Sequence, residues 1–340
     1  MPRLSILMPV YNGESYLRPA IDSILKQTFE DFEFIIINDG STDKTKDIIT
    51  SYTDNRIHLI NHETNQGIVS SLNEGLYKSS SEFIARMDCD DLSRPKRLEK
   101  QLKFLEENKE VDIVGTWIKL FGHVRRNFIH KYPANAEAIK PLMLFENPLA
   151  HPTVMFRKEI LKRNGESNYL TNFPHAEDWA FWFELSKKYN FANISEVLLD
   201  YRVHKSSASK KNTQAQKNSV IELQKEMFSY YDLPFSEELL PLNIEWSKKN
   251  CSNFSEYLNN LISENKRRNL FEDRAFNLIV SKVFLKFVRG ANSDALFAAK
   301  ELIKFGRKYL SSKLLLTSVT KILIMTHIRG LISKQRLRSG

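Results

Sequence analysis

The sequence predicts an α/β fold, a doubly wound and mostly parallel sheet followed by an all-helical C-terminal region, and three observations carry that expectation. Apolar, β-rich runs alternate with amphipathic helical patterns four times in the first third of the chain. The run Phe83 to Met87 stops abruptly in Asp88, Asp90 and Asp91, as a buried strand does when it delivers charge past its carboxyl end. Beyond Ser209 the strand patterns cease and helical periodicity takes over.

Taken in order, Leu4 to Val10 reads as the first strand and Glu14 to Gln27 as the first helix, with Leu17, Ile21, Ile24 and Leu25 on one face. Glu33 to Asn38 is the second strand. The polar turn Asp39-Gly40-Ser41-Thr42-Asp43 follows, then a helix to about Tyr52 with Asp43 as its N-cap or first-turn acid. The third unit is Ile57 to Asn61, the turn Asn65-Gln66-Gly67, and a helix over Ile68 to Lys78. The fourth is Phe83 to Met87, the aspartate loop, and a helix over Pro95 to Asn108, after which Asp112 to Leu120 is again a strand. Successive parallel strands joined through helices need a sheet covered on both faces. In such a sheet ligands lie outside the carboxyl strand ends, so Tyr11, Asn12, Asp39 and Asp88 to Asp91 are expected to converge on one crevice.

The turns contain neither Gly-x-Gly-x-x-Gly nor Gly-x4-Gly-Lys-Ser/Thr, which argues against dinucleotide and P-loop sites. Phosphate would instead be held by a metal and side chains. A carboxylate cluster suits a hard divalent ion, Mg²⁺ or Mn²⁺; the plainer alternative is an acidic turn capping the helix near Pro95.

At 340 residues, 42% hydrophobic and 27% charged, the chain can bury a full core and carry an appendage. Two cysteines, Cys89 and Cys251, are too few for a disulfide framework and fit a reducing compartment. Cys89 reads as a small filler rather than a ligand. The apolar run before Pro9 is too short for a signal peptide, so a cytoplasmic protein is expected. From Lys282 to the end there are thirteen Lys/Arg against two acids, a net +11 that leaves the remainder at −2 of the total +9. Such a tail suits an anionic surface, nucleic acid or the inner membrane leaflet, or is simply a solvated helical face.

Four motifs in order carry a resemblance: Pro9-Val10-Tyr11-Asn12, Asn38-Asp39-Gly40-Ser41-Thr42-Asp43, Asn65-Gln66-Gly67, and Ala85-Arg86-Met87-Asp88-Cys89-Asp90-Asp91. Together they resemble family 2 glycosyltransferases of the GT-A fold, over about residues 3 to 205. The resemblance implies an inverting transfer of a sugar from a nucleotide-sugar, commonly a UDP-sugar. It implies that Pro9, Tyr11, Asn12, Asp39, Asn65, Arg86 and Asp88 line the nucleotide-sugar site, with Tyr11 against the base and Asp39 accepting from the uracil imide. Asp88 would contact ribose or metal and Asp90 would coordinate the metal bridging the diphosphate. An aromatic face stacks on a base and a carboxylate accepts an imide N–H, so these roles are physically sound, although Asp39 also suits an Asx-turn. Many relatives carry Arg where this chain has Leu72, and Arg86 is a plausible substitute for that diphosphate contact.

The acceptor side follows. Asn147 to Arg157 reads as a loop entering a strand, with His151 on the loop as an acceptor-side or structural histidine. Glu177 and Asp178 open a helix rich in aromatic residues; acids there also suit the helix dipole. Inversion at a sugar C1 needs a base to take the acceptor's proton, and by resemblance to the family's Glu-Asp motif that base is Asp178, with Glu177 and Trp179 beside it. Trp182 suits core packing. Leu198 to Ser207 resembles a Tyr-Arg-x-His segment that closes over the diphosphate, so Arg202 and His204 would offset the charge of the departing UDP.

Residues 1–209 are thus expected to form the catalytic domain, its nucleotide-sugar half about 1–118 and its acceptor half about 119–209, and residues 210–340 a basic helical region. Within the latter, helices are predicted over Ser219–Tyr231, Ser236–Lys249, Phe254–Glu264, Phe271–Val288, Asp294–Lys308 and Lys313–Lys334. Lys321, His327 and Arg329 argue against a membrane span in the last; a packed, oligomerising or interfacial helix fits. The expected partners are a UDP-sugar donor, a glycan or glycoconjugate acceptor, and a membrane surface or second copy at the C-terminal helices, rather than nucleic acid. The rivals are a metal-dependent nucleotidyltransferase, which would release pyrophosphate, and a non-catalytic nucleic-acid-binding or scaffold protein.

Overall fold

Apolar residues fill both faces of the central strands, which is what a sheet covered on two sides requires. The computed structural model describes residues 1–124, 126–162, 168–204, 213–289, 294–309 and 315–320. Four strand-helix units lead the chain: β1 (Leu4–Val10) and α1 (Leu17–Leu25), β2 (Phe32–Asn38) and α2 (Thr45–Thr50), β3 (Ile57–Asn61) and α3 (Ile68–Lys78), β4 (Phe83–Arg86) and, after the short β5 (Leu92–Ser93), α4 (Arg97–Glu107). Next come β6 (Ile113–Gly122), β7 (Phe128–His130), α5 (Ala136–Leu142), β8 (Met155–Arg157), α6 (Glu159–Lys162), α7 (Glu177–Ser186) and the long β9 (Phe191–Val203).

The strands form one mixed sheet in the order β3-β2-β1-β4-β8-β6-β9-β5, with β7 on β6. Strands β1 to β4 pair in parallel, as do β6 and β9, while β8 runs antiparallel between β4 and β6. On one face Leu4, Ile6, Met8 and Val10 of β1 bury against Leu17, Ile21 and Ile24 of α1 and Leu98, Leu102 and Leu105 of α4. On the other face lies α3, brought close because Gly75 has no side chain: a Cβ there would meet Ile37 and Leu7 at 3.2–3.3 Å. Helices on both faces make the sheet doubly wound.

Register positions the site. Leu7 of β1 pairs with Arg86 at the end of β4, so β1 runs on to Val10 beside the point where Asp88 to Asp91 leave the sheet. Immediately afterwards β5 pairs Leu92 with Asp200 and Ser93 with Leu199, which ties the aspartate loop to the end of β9.

The chain divides into two compact units, Met1–Ile139 with Asn147–Val220, and Lys140–Glu146 with the residues after Val220. The short segment joins the second unit through Phe145, edge-on to Phe228, and through Gln224 Nε2 donating to Leu144 O at 2.9 Å. The helices here are α8 (Thr213–Tyr230), α9 (Lys248–Arg268), α10 (Asp273–Val288) and α11 (Ala295–Gly306). The helix expected over Ser236–Lys249 is absent; only a 3₁₀ turn, Glu237–Leu239, forms there. Pro241 lacks an N–H and disfavours helical geometry in the residue before it. Instead Ser247 caps α9 by accepting the Asn250 N–H at 3.0 Å, and Asn269 ends it in a left-handed conformation, φ +52°. Residues 315–320 are helical; the rest of the predicted Lys313–Lys334 helix, and most of the Ser206–Asn218 linker, lie outside the described residues. Among the described residues no helix is long and apolar enough to cross a membrane.

Candidate active site

Backbone turns at the carboxyl strand ends are stitched to one another before any ligand is considered. Asn12, in the left-handed region at φ +51°, donates its N–H to Ser41 Oγ (2.9 Å) and accepts the Thr42 N–H on Oδ1 (2.9 Å). Asp43 accepts the N–H groups of Thr45 (2.9 Å) and Glu14 (3.0 Å); it stands one residue before the N-cap Lys44 rather than at the cap or in the first turn, and ties the first loop to the start of α2. Pro9 pairs with Ile37 in the sheet, and Tyr11, 50% exposed, presents its ring at the rim.

Asp39 is buried, and three donors meet its carboxylate: the Gln66 N–H (2.8 Å) and His62 Nδ1 (2.8 Å) on Oδ1, and the Gly67 N–H (2.9 Å) on Oδ2. Asn65 Nδ2 donates to Asp39 O at 3.3 Å. Gly40 permits this closeness. Its φ is +68°, and a Cβ would sit 2.4 Å from the Thr64 carbonyl carbon. The Asp39-Gly40 turn and the Asn65-Gln66-Gly67 turn are therefore one block.

Two strand spacings away, about 10 Å along the same edge, lies the aspartate cluster. One carboxylate oxygen from each of Asp88, Asp90 and Asp91 falls within 4.8 Å of the others. Burial, reinforced by the Asp88 charge, pushes the pKa of Asp90 up, and that of Asp91 well up. Arg86, buried, pairs with Asp88 at 2.5 Å, and its charge also acts on Asp91, Glu177 and Asp178. From β9, Arg202 donates its N–H to Asp91 Oδ1 and its Nε to Asp90 O, both at 2.7 Å, while His204 Nε2 lies 2.8 Å from Asp90 Oδ2. The Arg202 guanidinium stacks between Tyr16 (4.6 Å) and Phe121 (4.4 Å), and the His204 ring rests on Tyr16.

On the acceptor side, α7 presents Glu177 and Asp178 in its first turn. Asp178 is partly exposed; it accepts from Asn147 Nδ2 (2.8 Å) and from the Trp179 N–H (2.7 Å). Loss of solvation, then the neighbouring Glu177 charge, raises its pKa to about 7. Glu177 is more deeply buried, its Oε2 has no hydrogen-bond partner, and burial raises its pKa too. Trp179 is largely buried at 7% exposure, and Trp182 lies wholly in the core. His151 is buried with Nε2 2.8 Å from the Tyr169 hydroxyl, and burial, with the Arg86 charge adding to it, holds its proton affinity well below the usual histidine range.

The donor set fits a hard divalent ion: all three ligand groups are carboxylates, and Asp91 Oδ2 is buried with no hydrogen-bond partner. Cys89 does not join them. Burial, with Asp90 and Asp88 adding to it, holds its thiol protonated, and it packs against the core beneath the loop. The arrangement therefore offers a carboxylate cluster that could hold a cation, flanked by Arg86, Arg202 and His204, and, within reach of the Arg86 field, a second carboxylate pair whose proton affinities burial raises, that of Asp178 to about 7.

Several contributions were not expected from sequence. Asp91, expected in the cluster, also anchors β9 through the Arg202 N–H. Asn147 orients Asp178 from 31 positions away. Asn73 brackets the Tyr169 backbone, accepting its N–H and donating to its carbonyl. Arg97, wholly buried, props up the aspartate strand by donating to Arg86 O and Pro152 O, and burial draws its pKa down to about 9. His62 and Glu74 complete the Asp39 block.

Known proteins share this pattern. A family profile described as glycosyl transferase family 2 matches residues 5–165. Over 216 residues the chain is 39% identical to the O-antigen biosynthesis glycosyltransferase WbnJ of Escherichia coli, spanning 61% of this chain and 82% of the relative. S. aureus TarS 1–349, solved in complex with UDP-GlcNAc, aligns over 90% of this chain and 89% of its own with a TM-score of 0.55 at 18% identity. The mannosyltransferase PcManGT of Pyrobaculum calidifontis, solved with GDP-Man and Mn²⁺, aligns over 96% and 87% with a TM-score of 0.50 at 16% identity. The two structures speak for a shared fold.

Proposed function

This chain belongs to glycosyl transferase family 2, and from that membership we propose that it moves a sugar from a UDP-sugar to a hydroxyl of a glycan, polymer or glycoprotein, with inversion at C1. The observation that carries the reading is Asp178: a carboxylate with pKa about 7, oriented by Asn147, in the field of the same arginine that pairs with Asp88. A general base works best when its pKa lies near the working pH. Asp178 takes the proton from the acceptor hydroxyl as its oxygen bonds to C1; the bond from C1 to the phosphate oxygen breaks, and the nucleoside diphosphate leaves.

On the donor side Tyr11 stacks on the base and Asp39 accepts its imide N–H. Pro9, Asn12 and Asn65 shape that part of the site. The span of about 10 Å from Asp39 to the aspartate cluster leaves room for a ribose. Asp88 and Asp90 would hold Mn²⁺ or Mg²⁺, which when bound supplies positive charge to the diphosphate. Arg86 and Arg202 add cationic donors to the leaving group, with the His204 ring beside them. Support for the donor class comes from TarS, solved with UDP-GlcNAc, and for the metal from PcManGT, solved with Mn²⁺. Support for a polysaccharide acceptor comes from the O-antigen relative. Residues 210–340 form a separate basic helical region in this proposal; the net +11 from Lys282 onward would hold the enzyme to the inner face of a membrane, whereas a second copy would be met by apolar helix faces rather than by that charge.

The test is a screen of nucleotide-sugars with Mn²⁺, scored for nucleotide release and repeated with EDTA. A UDP-sugar should give UDP, and EDTA should stop the reaction. Release of pyrophosphate instead would overturn the reading in favour of nucleotidyl transfer.

A further inference from the structure

The reaction derived above makes no use of His62, yet the chain builds it into the donor side. The residue follows β3 with its ring only 5% exposed, and both ring nitrogens meet carboxylate oxygens: Nδ1 lies 2.8 Å from Asp39 Oδ1, and Nε2 lies 2.7 Å from Glu74 Oε2 of α3. An ionised carboxylate only accepts, so both contacts are hydrogen bonds only while the ring carries two protons. A neutral imidazole has one N–H and would turn its lone pair on one of the two carboxylates. The backbone holds the ring in place, since the His62 N–H donates to Asn38 O at 2.9 Å.

A carboxylate offers about four lone-pair positions. Among the described residues, His62 and Gln66 on Oδ1 and Gly67 on Oδ2 take three of those on Asp39, which leaves a single acceptor position, on Oδ2. Asp39, in the turn after β2, and Glu74 from α3 are the charged groups that act on the ring, and the neighbouring Glu63 is exposed. Burial works to lower the ring's proton affinity, but the hydrogen bonds to the two carboxylates outweigh it and hold His62 above the usual histidine range.

We propose that His62 is a positioning residue for recognition of the donor base: its imidazolium, tied between Asp39 and Glu74, leaves Asp39 one directed acceptor position, which selects an imide N–H. The inference rests on Asp39 as the base-recognising carboxylate. Uracil offers an N–H at N3 where cytosine offers a lone pair, so the UDP-to-CDP affinity ratio reads the device directly.

The experiment measures UDP and CDP binding by calorimetry in EDTA for the full chain, His62→Gln and Glu74→Gln, alongside circular dichroism and an NMR titration of ¹³C-labelled histidine rings. His62→Gln should cut the UDP-to-CDP ratio about tenfold, the size of one hydrogen bond to a charged group. Glu74→Gln should keep the fold, lower the titration midpoint assigned to His62, and shrink the ratio as pH rises. An unchanged ratio in His62→Gln, equal weakening of both nucleotides, or a His62 midpoint at or below about 6.5 would overturn the proposal while leaving the donor reading intact. Failure of UDP to bind the unaltered chain both in EDTA and with Mn²⁺ would instead overturn the donor reading, and this inference with it.

Discussion

Asp178→Asn separates catalysis from stability in one substitution. The carboxyl is held at about 7 against an ordinary value of about 3.9, a difference of about 3 units at 1.36 kcal/mol each, so its ionisation costs the fold at most about 4 kcal/mol above pH 7. Partial exposure of the side chain reduces that ceiling. The amide keeps one partner, because its oxygen can still accept from Asn147 Nδ2, but its nitrogen then faces the Trp179 N–H and one hydrogen bond is lost. The net gain expected is about 1–2 kcal/mol at pH 8, or about 2–6 °C in Tm. The sign follows from linkage. Because the folded pKa is raised, the native state binds the extra proton between pH 4 and 7, and its stability falls as pH rises through that window. The variant should therefore melt above the unaltered protein at pH 8 and no higher at pH 5. Loss of a general base should lower transfer by about 10²–10⁴-fold while UDP affinity stays within about threefold. Scanning fluorimetry from pH 5 to 9 and a nucleotide-release assay measure all three. A variant that melts no higher at pH 8, or that loses UDP affinity along with activity, would refute the assignment.

For the unaltered enzyme, kcat/KM should rise about tenfold per pH unit below pH 7 and level off above it, because Asp178, as the proposed base, would have to lose its proton to act; a profile flat from pH 5 to 8 contradicts that proposal. Gly40→Ala forces a side chain into φ +68° and against the Thr64 backbone at 2.4 Å, so it should cost at least about 2 kcal/mol in urea unfolding and weaken UDP binding with it. Arg202→Lys keeps the charge but loses the planar group stacked between Tyr16 and Phe121 and its Nε bond to Asp90 O, so kcat/KM should fall at least about tenfold; retention of full activity would mean that charge alone suffices there.

Much of the catalytic half was legible because its signals are local. Period-two and period-3.6 patterns mark each strand and helix, and a charge cluster at the end of an apolar run marks a strand terminus whatever surrounds it. The contributors that were missed act across long separations. His62 sits in a polar turn, Asn-His-Glu-Thr-Asn, and nothing local tells that its ring is enclosed by Asp39 and Glu74. Arg97 looks like a solvated helical residue and is wholly buried, because α4 packs with that position facing the aspartate strand. The false helix over 236–249 arose from weighing apolar spacing above Pro241.

By itself the sequence determined the four leading strand-helix units, the doubly wound class, and which acids stand at the end of β4 and the start of α7, since each follows from side-chain shape and periodicity within a few residues. Tertiary structure decided the proton affinities and the alignment of the site: that Asp178 is raised towards neutrality, that Asp39 has one acceptor position left, and that Arg202 reaches the aspartate loop through β5 and β9. The reason is physical. Desolvation and hydrogen-bond partnership depend on what packs around a group in space, and the groups that do so here come from chain positions far apart.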